Sequence, residues 1–241
     1  DTIACFGQTS AQLTAIVSGG TPPYTYLWSN SAQTQSISNI PAASYYVKVT
    51  DKNGCSTNNG ASVFEYPQLQ IYTHEVRNPS CFGYSNGAIH IEISGGRPPY
   101  TYTWSHGVNS ASAENLLAGT YKIIVTDYYN CSVEQEYILT QPSLLTSSAS
   151  RITNVDCKNE ATGSIQINVS GGVPSYDFEW SHGAISQNVE NLLAGDYSVI
   201  ITDKNNCTTT SVASIIEPQQ LQAAIEVSKP ISCYKGSDGE L

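Results

Sequence analysis

Seven cysteines stand at Cys5, Cys55, Cys81, Cys131, Cys157, Cys207 and Cys233, and the gaps between them alternate 50 and 26 residues without a slip. The sequence therefore has a period of 76 residues, and self-similarity at a fixed period constrains the fold before any single motif does. The same shift carries Gly19-Gly20 onto Gly95-Gly96 and Gly171-Gly172, Trp28 onto Trp104 and Trp180, Tyr45 onto Tyr121 and Tyr197, and Asp51 onto Asp127 and Asp203. Each set marks one place in a recurring structural unit. The chain divides accordingly into a first module over 1–66 that lacks its opening strand, modules over 67–142 and 143–218, and the start of a fourth over 219–241. Pro67, Pro142 and Pro218 mark the seams. The sequence opens on Asp1 with no basic and apolar leader, which reads as an internal segment of something longer.

Within one period the pattern is that of short strands. Ala88-Ile89-His90-Ile91-Glu92-Ile93-Ser94 alternates apolar and polar with period two, the signature of a half-buried strand. Gly95-Gly96-Arg97-Pro98-Pro99 supplies turn residues, and Tyr100 to Trp104 resumes the alternation. A weaker segment from Ser110 to Leu116 leads through Leu117-Ala118-Gly119 into the strand Tyr121 to Thr126. Asp127-Tyr128-Tyr129-Asn130 turns the chain into a strand from Ser132 to Thr140, and Leu69 to Val76 supplies an opening one. Six or seven short strands per period, with sixteen Tyr, no Met and no long helical face, predict an all-β protein. The expected architecture is tandem immunoglobulin-like β-sandwich modules arranged as a rod. Trp28, Trp104 and Trp180 are expected in the core, as are Tyr45, Tyr121 and Tyr197, each placed to send its hydroxyl back to upstream backbone as a tyrosine corner. Ala43 replaces Gly119 and Gly195, so either that position has no positive φ or the first module is strained.

The order Gly95-Gly96-Arg97-Pro98-Pro99-Tyr100, then Trp104-Ser105, then Leu116-Leu117-Ala118-Gly119-Thr120-Tyr121, then Thr126-Asp127 with Cys131 resembles the SprB-type repeat of bacterial surface proteins. The likeness runs from Cys5 to Cys233. It implies a long adhesin of the kind carried by gliding bacteria, exported by the type IX route, displayed outside the outer membrane and moved by a surface motor. Partners implied by that resemblance are the motility and export machinery; extracellular polysaccharide or solid surfaces are further candidates.

Charge and motif content exclude other classes. With a net charge of −10, a pI near 4.7 and only ten scattered Lys and Arg, the chain has no basic patch for nucleic acid. No run of eighteen apolar residues offers a membrane span. His106 and His182 stand in Ser-His-Gly where the first module has Ser29-Asn30-Ser31, and His74 and His90 have no counterparts in the third, so the histidines read as loop and surface residues. No Cys-x-x-Cys or His-x-x-x-His spacing provides a zinc ligand set. Asp51, Asp127 and Asp203 are one acid per turn, better suited to binding turn amides than calcium. No Gly-x-Ser-x-Gly elbow is present. No enzyme activity, cofactor or metal is expected. Tyr128 and Tyr129 are candidates for stacking on sugars. Asn130, Asn168 and Asn206 open formal glycosylation sequons, and Asp1-Thr2-Ile3 resembles a bacterial O-glycan acceptor, though these are weak patterns.

Fixed-interval cysteines in small modules read as a disulfide framework and place the chain outside the cytoplasm. A module this small buries only about 60% of its unfolded surface, so a crosslink worth roughly 4 kcal/mol is a large share of its stability. Two connectivities are open. The 50-residue interval gives Cys5 to Cys55, Cys81 to Cys131 and Cys157 to Cys207, with Cys233 left over. In a sandwich, however, the turn after the first strand and the turn before the last lie at opposite ends, about 20 Å apart, beyond the roughly 7 Å a disulfide spans. Modules stacked head to tail would instead pair Cys5 with Cys131 and Cys81 with Cys207. The seams hold no Gly/Ser or charged linker, so successive modules are expected at a nearly fixed angle. Such a chain reads as a stiff spacer carrying tension to a binding tip, or alternatively as repeats that bind polysaccharide or surfaces multivalently.

Overall fold

The computed structural model describes residues 2–226 together with residues 234, 235 and 237. Most of the fourth module's start, Cys233 included, lies outside them. The chain forms two compact units, Asp1–Gln141 and Pro142–Leu241. The described residues form strands and no helix.

The first module comprises β1 (Thr2–Ile3), β2 (Ala11–Thr14), β3 (Thr25–Trp28), β4 (Ser36–Ile40), β5 (Ala43–Thr50) and β6 (Ser56–Glu65). The second comprises β7 (Gln70–Arg77), β8 (Gly87–Ser94), β9 (Thr101–Trp104), β10 (Ser112–Leu116), β11 (Gly119–Thr126) and β12 (Ser132–Leu139). The third comprises β13 (Thr146–Thr153), β14 (Gly163–Ser170), β15 (Tyr176–Trp180), β16 (Val189–Leu192), β17 (Gly195–Asp203) and β18 (Thr208–Ile215). In the second module one sheet has the order β10-β8-β7 and the other β12-β11-β9; the third repeats this as β16-β14-β13 and β18-β17-β15. The first module has β1-β6-β5-β3 in one sheet and only β2-β4 in the other.

Alternation decides which face each strand buries. In β8, Ile89 and Ile91 are buried while Glu92 is exposed; in β11, Ile123 and Val125 are buried while Lys122 and Ile124 face solvent. These side chains meet Trp104, Ala113, Leu116, Tyr137 and Leu139 in one core drawn from both sheets. The result is a tandem array of immunoglobulin-like β-sandwich modules.

Trp28, Trp104 and Trp180 are 5%, 2% and 3% exposed, and each indole Nε1 donates to a backbone carbonyl six residues on: Thr34, Ser110 and Ser186. A buried indole N–H thus has its partner, which lets the large ring fill the space between sheets without an unsatisfied donor. Tyr45, Tyr121 and Tyr197 each donate to the carbonyl four residues upstream, at Pro41, Leu117 and Leu193, over 3.0 Å. Placing all three in the core needs correcting. Tyr45 is buried, but Tyr121 and Tyr197 are half-buried, their rings covered from one side by His106 and His182.

Two glycine questions are settled by local geometry. Gly95 has φ +69°, and a Cβ there would lie 1.9 Å from the Gln68 carbonyl oxygen; Gly171 repeats this against Leu144. No side chain fits between that turn and the opening segment. Ala43 and Gly119, by contrast, both begin strands outside the left-handed region, so alanine fits without strain.

Candidate functional site at the module junction

Cys5 bonds Cys131, 126 residues away, with the Cα atoms 5.6 Å apart. The bond therefore joins the opening turn of the first module to the turn before the last strand of the second. Pairing at the 50-residue interval is overturned at its first member, since Cys55 is free and exposed. Cys157 is likewise free and exposed, whereas Cys81 and Cys207 are each disulfide-bonded. The physical reason is the polarity of the sandwich: opening turn and later turn of one module face opposite ways along it.

Both turns are held before they are bonded. On the Cys5 side, β1 pairs in parallel with the end of β6, setting Thr2 against Phe64 and Ile3 against Glu65. The Glu65 carboxylate then accepts the Gly7 amide at 2.7 Å. Gln141 and Glu217 do the same for the Gly83 and Asn159 amides of the next two modules. On the Cys131 side, the Asp127 carboxylate is 4% exposed and accepts three amides, from Arg97, Tyr129 and Cys131, each at 2.9 Å. Asp203 accepts Val173, Asn205 and Cys207, and Asp51 accepts Thr21, Asn53 and Cys55. These carboxylates are turn clasps, with their lone pairs taken by backbone. Hydrogen bonds to the charged form hold Asp51 below the ordinary carboxylate value, the Thr21 amide contributing most. Asn130 and Asn206 take φ +64° in the same turns, a conformation asparagine tolerates, and Gly54 takes the place in the first module.

Beside the disulfide lies a cationic cluster. The Arg97 guanidinium sits 5.9 Å from the Tyr66 ring, 4.8 Å from Tyr128 and 5.1 Å from Tyr129, and its Nη1 donates to the Tyr129 hydroxyl. That hydroxyl, first among the causes, holds the guanidinium above its ordinary value. The Tyr66 ring lies against that of Tyr129, tilted by 47° with the centroids 5.5 Å apart. Tyr66 closes the first module and the other three belong to the second, so the cluster is a second tie across the seam. Tyr129 is consequently half-buried in this contact and not an open platform for sugars; Tyr128 stays 58% exposed. Sequence reading did not identify Arg97 or Tyr66. The available signal was a coordinated departure from the repeat: Arg97 stands where Thr21 and Val173 do, Tyr128-Tyr129 where the other modules have Lys-Asn, and Tyr66 where Pro142 and Pro218 do.

The histidines serve packing and surface pairing. His106 packs between Trp104 and Tyr121, at 5.9 and 5.1 Å, and His182 repeats this with Trp180 and Tyr197. His90 faces Glu75 and Glu114, and His74 faces Glu92. Among the described residues no group of three His, Cys, Asp or Glu is placed to hold a metal ion. No helix among them is long and apolar enough to cross a membrane.

The fold and the junction define a class, that of tandem immunoglobulin-like modules. The SprB repeat family model matches the chain three times, over residues 3–33, 73–109 and 149–185. No curated protein sequence matches it. Among solved structures, the N-terminal eight immunoglobulin domains of Down syndrome cell adhesion molecule align at 14% identity and TM-score 0.45, covering 92% of this chain and 36% of that one. This chain thus spans about a third of that structure. An I-band fragment of titin aligns at 11% identity and TM-score 0.38, covering 91% and 95% of the two chains. A C-terminal fragment of intimin, crystallised with the intimin-binding domain of its translocated receptor, aligns at 15% identity and TM-score 0.34, covering 58% and 55%.

Proposed function

We propose that this chain is a stalk segment of a secreted cell-surface adhesin, a non-enzymatic spacer whose disulfides carry tension from module to module toward a distal tip. The observation that supports this most is the Cys5–Cys131 bond, which spans two modules instead of closing one. A within-module bond protects a sandwich but leaves the seam as weak as its non-covalent contacts. A bond across the seam puts a covalent link in parallel with the backbone, and the contact of Arg97 with the Tyr66 ring adds a non-covalent tie beside it. Extracellular display fits the oxidised cysteines. The gliding context, type IX export and a bacterial outer-membrane exterior belong to this proposal through the repeat family. So do motility machinery and polysaccharide or solid surfaces as partners. Weak multivalent sugar binding along the array has Tyr128 in its favour, but Arg97 already occupies a face of that ring. The spacer reading is tested by small-angle scattering before and after mild reduction. It predicts a maximum dimension that falls when the disulfides open. A chain equally flexible when oxidised and reduced would overturn it.

A further inference from the structure

Arg97 is a cation without a counter-ion. Among the described residues Arg77 pairs with Glu114 and Lys122 with Glu134, yet no carboxylate pairs with Arg97, although the chain has 20 acidic residues to 10 basic ones. The Asp127 carboxylate is committed to three backbone amides, that of Arg97 among them. Of the guanidinium N–H groups, Nη1 donates to the Tyr129 hydroxyl, and the others meet no protein acceptor among the described residues. A guanidinium is a rigid, planar fork of donors whose geometry matches a carboxylate through two parallel hydrogen bonds.

The fork is held in place from behind. The Arg97 amide donates to Asp127 and the Arg97 carbonyl accepts the Tyr128 amide, each at 2.9 Å. The Tyr129 and Cys131 amides close on the same carboxylate, and Cys131 is bonded to Cys5. Both loops are therefore fixed before any ligand arrives, and the side chain is pinned at one nitrogen. Little conformational freedom is left to lose on binding.

Tyr128 is the part of the cluster that the seam does not explain. Tyr66 and Tyr129 are half-buried against each other and against Arg97, as a tie across the seam requires. The Tyr128 ring has Arg97 on one side at 4.8 Å and meets Tyr129 edge-on at 5.2 Å, but it stays 58% exposed. The other modules have Lys52-Asn53 and Lys204-Asn205 at these positions, with Lys52 and Lys204 exposed. Each of the three modules thus carries a cation at this pair of turns, and the second adds a fork and an outward ring.

We propose that Arg97 and Tyr128 bind an acidic polysaccharide, a polyuronate. The free edge of the guanidinium takes the carboxylate of one uronate, and the C–H face of a neighbouring pyranose packs on the open part of the Tyr128 ring. The net charge of −10 opposes a polyanion at long range, so the attraction is local to the fork and the ring. The proposal goes beyond the spacer reading and does not depend on it, because that reading rests on the Cys5–Cys131 bond.

The test titrates the whole chain calorimetrically with three probes: oligogalacturonate, a neutral dextran oligosaccharide that has rings without charge, and oligoglutamate, which has carboxylates without rings. Oligogalacturonate is expected to bind at least about tenfold more tightly than either of the others. Arg97→Ala and Tyr128→Ala should each weaken it at least about tenfold, and Arg97→Lys, which keeps the charge but loses the fork, should weaken it as well. Tyr128→Ala removes an exposed ring and leaves folding intact, so it carries the test even where Arg97→Ala loosens the seam. Absence of oligogalacturonate binding, equal binding of dextran or oligoglutamate, or an affinity indifferent to Tyr128→Ala overturns the proposal. Mapping the Cys5–Cys131 bond in the same preparation shows separately whether the stalk reading stands.

Discussion

Removing the staple with Cys5→Ala and Cys131→Ala tests whether the junction couples two modules or merely decorates them. The bond closes a loop of 126 residues. In the chain-entropy picture a loop of that length stabilises the folded pair by about 5 kcal/mol through the unfolded state. The structure argues for little offset from strain, because both turns are independently held by Glu65 and Asp127. A pair of modules this size has a urea slope of about 2 kcal/mol per M, so the midpoint should fall by about 2.5 M. The assay is urea unfolding without reductant in a Trp180→Phe background, which leaves Trp28 and Trp104 to report on one module each. With the staple the two report one transition; without it they separate. Cys55→Ala is the control and should move nothing, as its thiol is free and exposed. A bond closing the 50-residue interval would make Cys55→Ala the damaging change, at about 4 kcal/mol. A shift below about 0.5 M in the double variant would refute the reasoning.

Asp127→Ala removes the acceptor for three amides in a site 4% exposed and should cost about 3 kcal/mol or more in chemical denaturation; less than 1 kcal/mol, roughly one ordinary hydrogen bond, would contradict the clasp. For Asp51 the folded carboxyl binds its proton less readily than the ordinary value of 3.8. Its stabilisation is therefore complete above that pH and fades as pH falls below it; Asp51→Asn should flatten the acid limb of a melting-temperature profile. Arg97→Ala should couple to Tyr66→Ala in a double-mutant cycle read by the unfolding of the first two modules, and additive effects would remove the cluster as a seam tie.

The repeat, the strands and the sandwich were legible because each depends on local pattern: alternation around Ile89 and Ile123, turn chemistry at Gly95, one Trp per period. The clasp was legible too, since an Asp closing a strand before a turn has few partners other than nearby amides. Connectivity of the cysteines was legible only as two open pairings, of which sandwich topology offered the one found, Cys5 with Cys131. Spacing fixes which residues recur but not which module supplies a partner, and both pairings satisfy the same arithmetic. The Arg97 cluster and the Glu65, Gln141 and Glu217 acceptors escaped for a related reason: they are contacts between segments remote in sequence, carried by ordinary polar residues. The aromatic support that His106 and His182 give to the tyrosine corners was hidden by asking only whether they bind metal.

The most direct measurement is a tryptic map of the chain digested without reductant after its free thiols are blocked. Cleavage after Lys48, Lys52, Arg77, Lys122 and Arg151 puts Cys5, Cys55 and Cys131 on separate peptides. The account predicts that the peptide ending at Lys48 is recovered joined to the one running from Ile123 to Arg151, while the Cys55 peptide carries the blocking group. Recovery of the Cys5 peptide joined to that of Cys55 would confine the bond to one module and contradict the stapled stalk.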